Sequence, residues 1–313
     1  MFVAALCATT ALGLEAPEAK VSVRIVGEDG LPIPQAAVTI GFEVPKPPAQ
    51  GWGTVEKPAF GLTNEQGEWS ATGPSSGHLG GNVKKEGFYD SYFAAPDFSD
   101  VREGKWQPWN PTVSVLLKKI VNPVPMYARR VRIELPAVDQ PIGYDLIAGD
   151  WIAPYGKGTV SDFVVTVQKT FNTRKDYDSN LRLTFSNPDD GIQSVKFDFQ
   201  HGSFLRLPRI APESGYESAF HSRLAHTSDS IVDERQKDRS LIFRVRAVAK
   251  NGKIKSALYG KILGDIGFDV VNSKTAVVFF TYYLNPDGTR NLEFDPKSNL
   301  FSELKPMEKV SEP

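Results

Sequence analysis

The sequence predicts an all-β protein in which a small N-terminal β-sandwich precedes a larger antiparallel β-sandwich. Three observations predict this class. Many short segments alternate apolar with polar residues, as half-buried strands do. Twenty-six glycines and 23 prolines separate these segments with turns, and the 19 Phe, 10 Tyr and 5 Trp residues favour strands. At 313 residues the chain is long enough for two such domains.

The composition also narrows the classes of function. Hydrophobic residues make up 41% of the chain and charged residues 23%, which is ordinary for a soluble globular protein with a sizeable core. The 36 Lys and Arg residues are balanced by 37 Asp and Glu residues. Because proteins that bind nucleic acids need a clear basic excess to neutralise phosphates, we expect no nucleic-acid partner.

Residues 1–16 predict a signal peptide. The stretch is apolar and ends in Leu14-Glu15-Ala16, which resembles a cleavage site, although no basic residues precede it. The alternative is a first strand or helix that the mature protein keeps. Cys7, the sole cysteine, lies in this stretch, and Leu6 before it argues against a lipoprotein anchor. No segment approaches the roughly 20 apolar residues of a membrane helix. We therefore expect an exported protein, periplasmic, surface-bound or extracellular, that does not span a membrane.

Residues 17–119 predict the first domain. Val21–Val26 alternates as a half-buried strand, Glu28-Asp29-Gly30 forms a turn, and Ala36–Phe42 returns. A Pro- and Gly-rich excursion over 44–59 follows. The later extended pieces flank a turn at 63–67 and then lie at 83–89 and 112–117.

The ordered set of these pieces resembles a known family. Glu28–Ala36, Thr63–Gly67 and Lys85–Tyr89 resemble the turns and strands of the carboxypeptidase regulatory-like domain, over about residues 21–117. The resemblance implies a prealbumin-like β-sandwich that serves as a non-catalytic module of exported proteins. The insertion around Trp52 and the loop at 75–81 depart from the family pattern, so no functional residue is carried over.

A linker is predicted at 120–127, because two prolines there favour an extended connection. Residues 128–301 predict a second antiparallel sandwich with Greek-key or jelly-roll topology, and residues 302–313 predict a flexible tail. The predicted strands of the second sandwich lie at 130–135, 163–168, 181–185, 195–199, 242–248, 254–258 and 277–283. Turns are predicted at 187–191, at Asn251-Gly252 and at 285–288, each joining its neighbours as a hairpin. The polar segment 228–239 predicts a loop or a short helix.

The most distinctive string runs from Gly143 to Phe163 and crowds carboxylates, aromatics and glycines into one irregular stretch. Its composition is typical of a loop that approaches a ligand or packs tightly on its neighbour. The candidate ligand-binding residues here are Asp150, Trp151, Tyr155, Lys157 and Asp162. The alternative, which we favour, is a structural loop in which Trp151 fills the core and the carboxylates cap turns or pair with Arg129 and Arg130.

Trp106 and Trp109 are further candidates, because aromatic faces stack on sugar rings. The alternative is structural: both tryptophans could be buried in the packing between two domains.

Patterns for metals, cofactors and nucleophilic catalysis are weak. His221 and His226 are five residues apart, which is out of phase for one strand face, and they could meet His201 only through tertiary folding. Asp176–Asn180 opens like a calcium loop but lacks its glycine and glutamate. No G-x-S-x-G elbow occurs, and Gly156–Thr159 lacks the first glycine of a phosphate loop. We therefore assign no catalytic residue, metal ligand or cofactor.

The sequence thus predicts an exported, non-catalytic envelope protein that binds a glycan or a surface protein. One alternative is a carbohydrate-active or other hydrolytic enzyme with its site on the 145–162 loop. A second alternative is a structural accessory subunit.

Overall fold

The computed structural model describes residues 16–47, 50–95, 97–197, 202–270, 272 and 274–313. Nearly all of its regular structure is β-strand, which confirms the all-β class. The first strands are β1 (Glu18–Gly27), β2 (Ala37–Pro45), β3 (Thr54–Leu62), β4 (Glu68–Pro74), β5 (Leu79–Lys84), β6 (Ser91–Ala94), β7 (Asp100–Arg102), β8 (Lys105–Gln107) and β9 (Thr112–Leu117). The later strands are β10 (Val124–Glu134), β11 (Ile142–Asp145), β12 (Asp150–Trp151), β13 (Phe163–Thr173), β14 (Asp176–Thr184), β15 (Gly191–Lys196), β16 (Gly202–Ser203), β17 (Ala219–His226), β18 (Ile231–Asp233), β19 (Arg239–Lys250), β20 (Lys253–Ile262), β21 (Gly267–Val270), β22 (Ala276–Asn285) and β23 (Phe294–Asn299).

The described residues fall into two compact units. Unit 1 comprises the residues up to 119 together with β16, and unit 2 comprises the rest from 120 onward. Residues 1–15 of the predicted signal peptide, with Cys7 among them, lie outside the described residues. Within the part of the chain that is described, no helix has the length and apolarity needed to cross a membrane.

Unit 1 is a sandwich of two sheets. One sheet has the order β4-β1-β8-β7, with β9 parallel to β1, and the other has the order β16-β6-β5-β2-β3. The alternation in β1 places Val21, Val23 and Ile25 in a buried core shared with apolar residues of β2, β5 and β9. Each strand therefore buries one face, as its period of two requires.

The 44–59 excursion is shorter than the sequence predicts. Strand β2 continues to Pro45, and β3 begins at Thr54 and pairs with β2 over nine residues. Pro58 is compatible with a strand here because β3 is an edge strand, where the missing N–H removes no ladder hydrogen bond.

Unit 2 also contains two sheets. The larger has the order β15-β19-β20-β22-β10-β23, with β21 beside β22, and the smaller has the order β12-β11-β13-β14-β17-β18. Apolar residues of both sheets form one core, in which Phe163, Phe243 and Tyr282 are fully buried. The predicted hairpin at Asn251-Gly252 is confirmed, with both residues at positive φ.

Two predicted hairpins are wrong. The turn at 187–191 carries the chain from β14 in one sheet to β15 in the other, where β15 pairs with β19. The turn at 285–288 leads out of β22, but β23 pairs in parallel with β10 instead of returning along β22. In both cases the turn residues fix the local reversal, whereas distant strands supply the pairing partner.

Three segments are more structured than the sequence predicts. The second half of the predicted linker at 120–127 belongs to strand β10, which begins at Val124. The polar segment 228–239 contains the short strand β18, which pairs with β17. The segment 302–313 was expected to be a flexible tail, yet it carries a 3-10 helix at Pro306–Glu308 and packs Val310 into a small core with Met126 and Phe294. Its Glu308 forms an ion pair of 2.8 Å with Arg129.

Candidate functional site

The loop predicted as a candidate site is organised by Asp145. This carboxylate is buried and accepts hydrogen bonds of 3.0–3.1 Å from the N–H groups of Ile147, Ala148, Thr159 and Val160. Burial alone would raise the pKa of Asp145, but the hydrogen bonds to its charged form outweigh burial and hold the pKa below its ordinary value. Asp145 therefore ties the two ends of the loop together.

Arg246 completes this buried charge cluster. Its guanidinium donates two bonds of 2.8 Å to Asp162 and one of 3.0 Å to Asp145. Asp162 is 1% exposed and also accepts the N–H of Leu146. The sequence suggested Arg129 and Arg130 as partners of these carboxylates, but Arg129 binds the carbonyl of Gly149 and the carboxylate of Glu308 instead. The true partner is 84 residues from Asp162 and enters from β19.

A third carboxylate, Asp190, contacts the backbone of Arg246. It is 6% exposed and accepts the N–H groups of Arg246 and Ala247 at 3.1 and 2.8 Å. Burial raises the pKa of Asp190 to about 6, against the opposing effect of these two bonds.

The other candidate residues of the loop divide by exposure. Asp150 accepts the N–H groups of Trp151 and Lys157, as a turn-capping carboxylate does. Trp151 is buried, donates to the Glu134 carbonyl at 3.2 Å and meets the Tyr144 ring edge-on. Lys157 and Tyr155 are open to solvent. The carboxylates thus serve the architecture of the loop, and among the five candidate residues Tyr155 and Lys157 are the exposed ones.

The tryptophans do not form one flat exposed face. Trp106 is half-buried against the core of unit 1 and donates to the Ser75 carbonyl at 2.8 Å. Trp109 is also half-buried, and Lys105 Nζ lies 5.2 Å from its ring centroid. Trp52 is fully exposed.

The histidines remain separate within the described residues. His221 is exposed opposite Arg182, while His226 meets the ring of Tyr177 edge-on, and His201 lies outside the described residues. No cluster of three or more His, Cys, Asp or Glu residues in the described part of the chain could hold a metal ion.

A different candidate site lies on the outward face of the second sheet of unit 1. Here a trough of about 310 Å³ crosses strands β3, β2, β5 and β6, and we call it the sheet-face trough. Gly41 and Gly80, which are cross-strand partners, form its floor. A β-carbon on Gly41 would overlap the Glu56 carboxylate, so this glycine lets the carboxylate lie down on the sheet.

Aromatic side chains stand at both ends of one row across this face. The strand register aligns Phe60, Thr39, Asn82 and Tyr92 on four neighbouring strands. Because strands lie about 4.8 Å apart, the two aromatic residues are separated by about 14 Å. Phe60 is 70% exposed and Tyr92 is 43% exposed. They border a low floor of small and polar residues.

Two carboxylates face each other at the neighbouring end of the trough. Glu43 and Glu56 are directly opposite cross-strand partners, and Thr54 Oγ1 donates to Glu43 at 3.3 Å. Like charges directly opposite on neighbouring strands are destabilising. This sheet face therefore combines two exposed aromatic rings, of which Tyr92 lines the trough and Phe60 lies beside it, with concentrated hydrogen-bond acceptors, at a local cost in stability.

Sequence reasoning missed this trough because its residues come from four strands, and because β3 was hidden in the predicted excursion. One usable indication was present. Gly41 and the pair Gly80-Gly81 interrupt strand-like segments, and glycine inside a strand often marks a close approach to the sheet.

Comparisons with known proteins identify no family. No family model matches the chain, and no curated protein matches it. Among solved structures, a shaft pilin from Lactobacillus rhamnosus GG is 13% identical and covers 59% of this chain and 98% of its own length, with a TM-score of 0.23. A candidate carbohydrate-binding protein from Bacteroides uniformis is 10% identical and covers 85% of this chain and 99% of its own length, with a TM-score of 0.19. These TM-scores are too low for either similarity to assign a function to the chain.

Proposed function

We propose that the chain is an exported, non-catalytic protein that binds a neutral glycan in the sheet-face trough. The observation that carries this proposal is the placement of Phe60 and Tyr92 at the two ends of a row through Thr39 and Asn82, next to the glycine floor and the Glu43 and Glu56 carboxylates. A glycan presents apolar C–H faces and hydroxyl edges, and this surface offers a partner for each.

The charge of the trough selects among glycans. Carboxylates accept strong, charge-assisted hydrogen bonds from hydroxyl groups. The same two carboxylates repel sulfated or carboxylated sugars, because no cation is among the residues that line the trough. A neutral, hydroxyl-rich glycan is therefore the favoured ligand class.

Other features support the non-catalytic and exported parts of the proposal. The carboxylates of the 145–162 loop are engaged with backbone N–H groups and Arg246, which leaves them poorly suited to acid–base chemistry. Unit 1 is a two-sheet sandwich, which fits the non-catalytic module that the carboxypeptidase regulatory-like resemblance implies. The apolar stretch at 1–16 supports export.

A glycan array followed by titration of the best ligand tests this proposal. We expect the wild-type protein to bind neutral oligosaccharides, and Phe60→Ala and Tyr92→Ala each to weaken binding about tenfold or more, which corresponds to about 1.4 kcal/mol of lost stacking. Glu56→Gln should also weaken binding, because it replaces a charged acceptor with a neutral one.

Leu31→Ala is the matched control, since Leu31 is 63% exposed in the turn after β1 and does not line the trough. It should leave the affinity unchanged. Glycan binding that survives the Phe60, Tyr92 and Glu56 substitutions, or a silent array, would refute the proposal. Capture of a surface protein through the same residues would replace the glycan with a protein ligand.

A further inference from the structure

Unit 2 contains a second cleft with the opposite charge character. It has a volume of about 580 Å³ and lies where the Asp189 turn, the segment 213–216 and the β19–β20 hairpin approach one another. Three cationic side chains line it, Arg244, Lys253 and Arg290. We call it the cationic cleft.

Arg244 is fixed in position before any ligand binds. Its Nε and Nη2 donate to the Asp189 carbonyl at 3.0 and 2.6 Å, and its guanidinium lies 4.7 Å from the ring centroid of Tyr216. Tyr216 is in turn held by a 2.9 Å bond from its hydroxyl to the Pro212 carbonyl and by contact with Tyr259. A guanidinium held in this way loses little rotational freedom when it binds an anion.

Arg290 holds an acidic group already. Its Nη1 is anchored on the Ala211 carbonyl at 2.9 Å, and its Nη2 binds the Glu213 carboxylate at 2.9 Å. The Glu213 side chain is 81% exposed. An ion pair this exposed contributes little stability, about 0–1 kcal/mol, so an incoming carboxylate could displace Glu213 without disturbing the fold.

The remaining groups of the cleft favour a hydroxylated ligand. Asp189 supplies acceptors, while Lys253 and the two arginines supply donors. One face of the Tyr216 ring is covered by Arg244, and the ring of Tyr259 lies 6.5 Å from that of Tyr216 at a tilt of 55°. The cleft therefore recognises its ligand through polar contacts more than through stacking.

We infer that the cationic cleft binds an acidic sugar of the uronic acid class, whose carboxylate replaces Glu213 on Arg290. The sugar hydroxyls pair with the acceptors of the cleft, and Arg244 and Lys253 neutralise the remaining charge. This site is on a different unit from the sheet-face trough and selects the opposite ligand charge, so it does not depend on the proposed neutral glycan.

The test is a calorimetric titration of the whole protein with digalacturonate, with the neutral galactose disaccharide and inorganic phosphate as separate arms. We expect digalacturonate to bind and the neutral disaccharide not to bind. Arg290→Gln should weaken digalacturonate binding about tenfold or more, since hydrogen bonds to charged groups are strong. Glu213→Gln should strengthen it several-fold, because the competing carboxylate is gone.

Lys250→Gln is the matched control. It removes one positive charge from the same hairpin, but Lys250 is exposed and does not line the cleft. Its digalacturonate affinity should equal that of the wild type, as should that of Phe60→Ala. Thermal denaturation of each variant separates loss of the site from loss of the fold.

Three outcomes would overturn the inference. These are equal binding of the neutral disaccharide, phosphate binding as tight as digalacturonate binding, and a Glu213→Gln variant that binds digalacturonate more weakly than the wild type. An absence of digalacturonate binding at millimolar concentration would also overturn it, while leaving the trough proposal untouched.

Discussion

Asp190 shows how a single buried carboxylate is kept in a cluster that already holds two others. Asp145 and Asp162 share Arg246, whereas Asp190 receives only backbone N–H groups from Arg246 and Ala247. Burial raises the pKa of Asp190 because its two backbone N–H bonds are too few to offset burial and the nearby Asp162 charge adds to the rise, whereas four backbone N–H bonds outweigh burial at Asp145 and lower its pKa.

This difference predicts a pH dependence of stability. The pKa of Asp190 is about 6 in the folded protein against an ordinary value of 3.8, so the folded state binds this proton more tightly than the unfolded state. The stabilisation of the folded state by this proton is fully present below about pH 4 and is lost as the pH rises through 6. The loss amounts to about 3 kcal/mol at 1.36 kcal/mol per pKa unit. We expect Asp190→Asn to be less stable than the wild type at pH 4, because its amide turns a donor toward an N–H group. Above pH 7 the difference in unfolding free energy between the two proteins should narrow or reverse.

Urea unfolding of both proteins between pH 4 and 8 checks this prediction. At each pH the unfolding free energy of Asp190→Asn is subtracted from that of the wild type. The effects of the other titrating groups, which both proteins share, largely cancel in this difference. A difference that stays constant across this range would contradict the raised pKa.

At the scale of strands and turns, local patterns predicted elements well and partners poorly. The alternation of Val21, Val23 and Ile25 was sufficient to find β1, and Asn251-Gly252 was sufficient to find the β19–β20 hairpin. Strand β22 was also found, but it pairs with β10, which is about 150 residues earlier in the chain, and no turn signal encodes that choice.

The same limit applies to the candidate sites. The carboxylates of the 145–162 loop were identified from their local density, but Arg246 was not, because its contact with Asp162 spans 84 residues. The trough requires the register of four strands, and the cationic cleft requires four separate segments to converge. The residue types of a site could be identified from the sequence. Which distant residues meet at that site depends on the sheet topology.

Two glycines of the β19–β20 pair illustrate two different constraints on one element. Gly252 lies in the turn at φ 69°, and a β-carbon there would meet no neighbour within 4 Å. Gly260 lies in β20, where a β-carbon would overlap the ring of Phe243 and the carbonyl oxygen of Tyr283. The first glycine is required by backbone conformation and the second by packing.

These constraints predict different costs for alanine. Gly252→Ala should destabilise the protein by about 1–2 kcal/mol, the cost of a left-handed conformation for an L-residue. Gly260→Ala should cost about 1–3 kcal/mol through overpacking, and it should also change the near-ultraviolet circular dichroism, because buried aromatic rings must shift. Gly252→Ala should leave that spectrum unchanged, and an altered spectrum for Gly252→Ala would contradict the assignment.

At the scale of the whole molecule, each unit has its own hydrophobic core. The core of unit 1 includes Ile25 and that of unit 2 includes Leu241, both fully buried, and the two clusters share no residue. Residues that pack in one hydrophobic core unfold together, so two separate cores predict two unfolding transitions.

Core substitutions in each unit test this prediction by calorimetry. Ile25→Ala should cost about 2–5 kcal/mol through lost burial and the cavity left behind, and Leu241→Ala a similar amount. If each core governs its own unit, Ile25→Ala lowers the temperature of one transition, Leu241→Ala lowers the other, and the double variant shows both shifts independently. A single transition that both substitutions lower together would instead mean that the two cores unfold as one cooperative system.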